Sequence, residues 1–83
     1  SRDEYRQWRE ITDQEYRRLV RDSEMERATL IDPYGATNKA EFFAVATECF
    51  FELGRAMQRQ HRRLYEALSR FYRQDPARWG DRS

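Results

Sequence analysis

One cysteine, two prolines and three glycines are all that this 83-residue chain carries of the residues that staple, break or loosen a backbone. The lone thiol, Cys49, cannot close an internal disulfide, so nothing points to an oxidising compartment and a cytoplasmic location is expected. No apolar run approaches the roughly 20 residues of a membrane helix, and the signal-peptide pattern of basic start, apolar core and small-residue cleavage site is missing. No membrane partner is expected. Internal repeats and low-complexity linkers are also lacking, so residues 1–83 read as a single helical segment, of a size that buries barely enough surface to be stable alone.

What is present is charge laid out at helical spacing. Charged residues make up 37% of the chain, a level associated with disorder, but 14% aromatics recurring every three or four places argue for a folded, all-α chain. About three helices are expected, over roughly 2–25, 38–53 and 55–73. The first has Tyr5, Trp8, Thr12, Tyr16, Leu19 and Val20 on one face, with Ser1 and Glu4 in position for a capping box. The second carries Phe42, Phe43, Val45, Ala46, Cys49, Phe50 and Leu53 and reads as the core helix. Gly54 offers a stop, yet Met57, His61, Leu64, Leu68 and Phe71 continue almost in phase, which leaves open a third helix that runs on from the second. Pro76 and Gly80 end regular structure, and the tail beyond is expected to fray.

The net charge of +1 hides two unlike halves. Residues 1–53 hold eight basic and twelve acidic side chains, whereas residues 54–83 hold eight basic and three acidic, so the halves should attract. The basic half is interleaved with Tyr65, Phe71, Tyr72 and Trp79, as in some nucleic-acid binders. Those rings fall on one helical stripe, where packing is their commoner use, and nucleic acid is not the expected partner.

The stretch "DPYGATNKAEFFAVATE", residues 32–48, reads differently from its surroundings. Asp32-Pro33-Tyr34-Gly35 has turn chemistry: Pro33 presets one backbone angle, Gly35 tolerates positive φ, and Asp32 can accept from the backbone just ahead. Thr37 or Asn38 then caps a helix and sets Glu41 in or next to its first turn, where unpaired N–H groups and the helix dipole favour a carboxylate. Capping alone accounts for Glu41 on this reading. Glu48 lies two turns further along the same side, roughly 10 Å away, so one metal cannot easily hold both carboxylates. Its expected role is an ion pair with an arginine of the basic half or a contact supporting Glu41. Glu48 and Glu52 sharing a metal is disfavoured because the Glu-x-x-His partner of such sites is lacking. Cys49, with no histidine near it in the pattern, reads as a small core residue.

Two separated runs, "IDPYGATNKAEFFAVATECFFE" and "LYEALSRFYRQDP", resemble the C-terminal part of the Mlc titration factor A family of zinc-dependent peptidases, the similarity covering about residues 5–77. The resemblance implies a gluzincin-type metallopeptidase, in which two histidines of an HExxH helix and a later glutamate bind zinc while the glutamate inside HExxH activates water. On that match Glu41 is the zinc ligand, and Tyr34, seven residues before it, donates a hydrogen bond to the oxyanion of the tetrahedral intermediate. A catalytic zinc uses three protein ligands and keeps one position open.

HExxH itself is missing, and so is the pair of imidazoles. The one histidine, His61, sits beside Arg62 and Arg63 and reads as a packing or surface residue. Prolines that family members carry between the FFE and LY segments are replaced here by "LGRAMQRQHRRLY". The economical expectation is the C-terminal part of a longer peptidase, acting on peptide or protein substrates with zinc in the full-length protein, or a truncated descendant that retains the fold segment but not the reaction. The alternative is a non-catalytic helical module that dimerises or binds a partner, such as the transcriptional repressor the family name implies. Phe43 and Phe51 leave the main stripe and are the residues expected to touch protein outside this segment, or a second copy.

The 83-residue chain alone should hydrolyse no peptide and bind zinc weakly, because one carboxylate and one phenol leave most of the coordination sphere to water. Calorimetry with zinc at neutral pH checks this: a tight one-to-one site abolished by Glu41→Ala, in a chain that cleaves peptides, contradicts it.

Overall fold

Twenty-three residues, Arg2–Glu24, form helix α1. The Ser1 hydroxyl accepts from the Glu4 N–H at 3.3 Å, half of the expected capping box, and Asp3 and Glu4 sit in the first turn where the dipole favours them. The helix stops where Glu26 turns left-handed at φ 54°, letting the Arg27 N–H reach the Asp22 carbonyl at 2.9 Å. Ile11 and Leu19 are the residues that α1 buries, flanked by Trp8 and Tyr16. Tyr5, expected on the buried stripe, lies exposed with the Arg9 guanidinium 5.9 Å from its ring centre.

The computed structural model describes residues 1–81, and those residues are helical with no strand. After α1 and a loop, a 3-10 turn at Pro33–Ala36 leads into helix α2, Lys39–Glu52. Helices α3, Gly54–Gln60, and α4, Arg62–Tyr72, follow, and a second 3-10 helix spans Pro76–Asp81. Four α-helices therefore stand where about three were expected. The 55–73 segment is two helices divided at His61, and the continuous 38–73 helix considered above does not form. Such a helix would be about 54 Å long, while the molecule measures 36 × 36 × 18 Å. Folding back is the way this chain encloses a core.

The two corners are alike. Leu53 (φ −127°, ψ 43°) and His61 (φ −138°, ψ 57°) leave helical geometry, but the four-residue hydrogen-bond spacing runs on through both. Leu53 N–H donates to Cys49 O at 2.7 Å, Met57 to Leu53 at 2.9 Å, His61 to Met57 at 2.7 Å and Tyr65 to His61 at 2.8 Å. The stop assigned to Gly54 thus belongs to Leu53, whose side chain is exposed rather than in the core. Gly54 is the first residue of α3, and space requires it: a Cβ there would lie 2.8 Å from Ala77 N and 3.1 Å from Pro76 C, backbone atoms that cannot swing aside.

At the second corner His61 is buried and its Nδ1 lies 2.7 Å from Glu15 Oε1 on α1, with Arg18 Nη1 3.1 Å away. This polar contact ties the corner to α1. The expected attraction between halves is made there and by Arg63 with Gln14 at 3.3 Å, not by a ladder of ion pairs. Salt bridges within the first 53 residues include Lys39 Nζ to Asp13 Oδ1 at 2.7 Å and Arg27 Nη1 to Asp22 Oδ1 at 2.9 Å.

The core is a layer of Phe42, Ala46, Cys49 and Phe50 from α2 against Met57, Leu64, Tyr65, Ala67 and Leu68, closed by Ile11, Leu19 and Ile31. Phe71, expected to continue that stripe, is exposed and stacks on Trp8 at 5.1 Å. Burial raises the Cys49 thiol pKa to about 11, with help from the Glu52 charge, so Cys49 is an inert core residue. Residues after Pro76, expected to fray, are folded through Asp81, with Ala77 buried against Gly54. Among the described residues no helix is long and apolar enough to cross a membrane.

Tyr65 holds that last turn. Its hydroxyl donates to the Asp75 carboxylate and accepts from the Ala77 N–H at 2.9 Å while its ring packs 5.1 Å from Phe50. Burial first, and the bond to Asp75 second, raise its pKa to about 12. Tyr65→Phe leaves Asp75 and the Ala77 amide without their partner and should cost about 1–3 kcal/mol. The folded pKa lies above the unfolded value near 10, so this contribution is complete below about pH 10 and lost as pH rises toward about 12. Urea titrations of both proteins should show a gap at pH 8 that closes by pH 12, and a gap unchanged across that range would refute the assignment.

Candidate functional site at the Tyr34 turn and the start of helix α2

The turn that carries Tyr34 is built by three short hydrogen bonds. Asp32 Oδ1 accepts from the Tyr34 N–H at 2.9 Å, Asp32 O from the Gly35 N–H at 2.9 Å, and Tyr34 O from the Thr37 N–H at 3.1 Å. Asp32 behaves as its sequence context predicts. Gly35 does not: no glycine of the described residues has positive φ. It is glycine because it is buried between α1 and α2, where a Cβ would lie 2.6 Å from Val45 Cγ2, 3.0 Å from Leu19 Cδ2 and 3.2 Å from Phe42 Cα. Close approach, not an unusual dihedral, is the requirement. The Tyr16 hydroxyl adds a bond to Ala36 O at 3.4 Å.

Asn38 is the cap of α2. Its side-chain oxygen accepts from the Glu41 N–H at 2.9 Å, in an extended conformation that suits an N-cap. Among the described residues the Glu41 carboxylate does not return a bond to the Asn38 N–H, so the box is open, and Glu41 holds the first-turn position that the helix dipole favours. Glu41 is half-buried at the edge of the α2 core face, while Tyr34 is 58% exposed on the turn.

Turn and helix bring these two side chains together. Glu41, as hydrogen-bond acceptor first and as negative charge second, raises the pKa of the Tyr34 phenol above its ordinary value near 10. Tyr34 is therefore a protonated donor at neutral pH, beside a carboxylate on a rigid helix. Chemically the pair offers one oxygen ligand for a cation and one O–H donor.

Other candidates stand apart. Glu48 is exposed, and the arginine ion pair expected for it is not formed among the described residues. His61 is engaged with Glu15. No group of three or more His, Cys, Asp or Glu side chains among the described residues is arranged to hold a metal ion. The residues present fit one ligand position of a metal centre, not a complete set. Sequence reading missed the Glu15–His61–Arg18 contact, since nothing in the spacing of those residues indicates that a corner brings them together.

The family model for glucose-regulated metallo-peptidase M90 matches residues 1–73. The chain belongs to that family. An uncharacterized protein of Synechocystis is 47% identical over 75 residues, which is 90% of this chain and 27% of that relative. Mlc titration factor A of Serratia proteamaculans is 43% identical over 51 residues, 61% of this chain and 20% of that protein, and the Pectobacterium atrosepticum protein of the same name is 41% identical over 51 residues. The chain thus spans between about a fifth and just over a quarter of the length of these relatives. No solved structure matches it.

If Glu41 is what perturbs Tyr34, the phenol should titrate nearer its ordinary value of about 10 in Glu41→Gln. Carbon-13 NMR of the Tyr34 ring carbon bearing oxygen reads this directly, and an unchanged titration midpoint would show that the two side chains do not interact.

Proposed function

We propose that this chain is the C-terminal part of a zinc-dependent metallopeptidase, supplying Glu41 as a zinc ligand and Tyr34 as an oxyanion donor to a site whose remaining parts lie elsewhere in a full-length protein. The observation that carries the reading is the juxtaposition of Tyr34 and Glu41, two chemically apt groups seven residues apart, in a chain of the M90 family. Asn38 supplies the side-chain cap of α2, and the Glu41 carboxylate stands in the first turn, a place that the helix dipole also favours.

Zinc, when bound, supplies a Lewis acid for the substrate carbonyl. The carboxylate of Glu41, in the first turn of α2, would contribute one of the oxygen contacts such an ion accepts. Tyr34 holds its proton at the phenol oxygen, and its hydrogen bond strengthens as negative charge grows on the substrate oxygen, which is how a donor favours the transition state over the ground state. The Asp32 turn and the tight Gly35 contact fix the backbone that carries Tyr34. A non-catalytic helical module that binds a repressor or another protein is the second reading. It is favoured by the aromatic surface around Phe51 and Trp79, and it assigns no role to the Tyr34–Glu41 pair.

The test places these residues in the Synechocystis relative in place of its matching segment. There Glu41→Gln should lose metal as well as activity, since a neutral amide is the poorer ligand. Tyr34→Phe should keep zinc and lose about 10² to 10³ in kcat. Glu48→Gln should do less than either. Full metal content in Glu41→Gln together with its loss in Glu48→Gln would move the ligand two turns along the helix.

A further inference from the structure

Helix α2 is apolar on nearly all its sides, whereas α4 is sharply divided into an apolar and a charged face. A helix of the first kind is normally enclosed. Yet one stripe of α2 has no cover. Ala40, Ala44, Glu48 and Phe51 are exposed at spacings of four, four and three residues. At its C-terminal end the stripe widens into an apolar patch: Phe51, 37% exposed, stacks on Trp79, 41% exposed, beside Leu53, 47% exposed. At its N-terminal end it borders Glu41. The two alanines leave room for another backbone to approach, and the aromatic end supplies an anchor.

We infer that this stripe is the surface on which the rest of the full-length protein packs, with a further helix or strand laid along α2 from Glu41 to Phe51 and Trp79. The occupant follows from length: the 75 matched residues are 27% of the Synechocystis relative, so nearly three quarters of that protein lies outside the matched segment and has to meet it somewhere. The inference rests on the proposal that this chain is part of a longer peptidase and adds which face joins it. A segment docked there runs past Glu41, so the face that completes the fold is also the face from which other ligands would reach the carboxylate.

Thiol labelling tests this without reference to zinc or activity. In a Cys49→Ala background, Ala44→Cys and Glu10→Cys are made in the 83-residue chain and in the same residues placed within the Synechocystis relative. In the isolated chain both thiols should react with a maleimide at similar rates. Within the full-length protein the thiol at position 44 should react at least about tenfold more slowly, the size expected of a covered site, while that at position 10 on α1 is unchanged. Should the graft not fold, cysteine at the matching position of the Synechocystis relative itself serves, read against its rate in denaturant. Equal rates at position 44 in both settings overturn the inference. Protection already present in the isolated chain and rising with its concentration assigns the face to a second copy and also overturns it. Metal content unaffected by Glu41→Gln, with position 44 protected, would remove the ligand role and leave the docking face standing.

Discussion

Gly35 is the point at which three pieces of this chain meet with no room for a methyl group. Leu19 of α1 and the Phe42 and Val45 positions of α2 close around it, so the Pro33–Ala36 turn acts as a wedge that sets the distance between the two helices. The positions of Tyr34 and Glu41 both follow from that wedge, one carried on it and the other on the helix it abuts. Stability and site geometry therefore depend on the same few atoms. A larger residue at position 35 would separate α1 from α2 and, in the same movement, lift the phenol away from the carboxylate.

Much of this was legible in the sequence. Helical class, the start of α2 at Asn38, the turn before it and the core residues of α2 follow from spacing and from cap and turn chemistry, all local effects. The first corner was legible to within a residue, since Gly54 offered a stop next to the break at Leu53, but the second, at His61, was not. Neither Leu53 nor His61 belongs to the residue types that announce a break, and the break at each is set by what the chain must reach: Ala77 lying on Gly54, and Glu15 waiting for His61. The last turn was misjudged for a related reason. Proline and glycine at 76 and 80 suggested an end, while the contacts that fold Pro76–Asp81 come from Tyr65 and Gly54, distant along the chain.

For the site, the sequence offered Tyr34 and Glu41 and left two explanations of the carboxylate. The structure puts the cap at Asn38 and Glu41 in the first turn behind it, as the capping explanation requires, while the ligand explanation needs further metal-binding groups that do not gather around Glu41 among the described residues. The reason for Gly35 was misread as a dihedral requirement. Turn dipeptides signal conformations, and crowding by residues far along the chain leaves no local mark.

The hydrogen bonds that run through both corners have a mechanical consequence. Helix ends usually open first, because their last amides lack partners on one side. Here the amides of Leu53, Met57, His61 and Tyr65 are linked end to end across three helices. The C-terminal end of α2, both ends of α3 and the start of α4 are thereby denied independent opening. Amide hydrogen exchange along residues 49–65 should report one cooperative block, and the short helix α3 acts as a crank that transmits displacement between α2 and α4 instead of absorbing it.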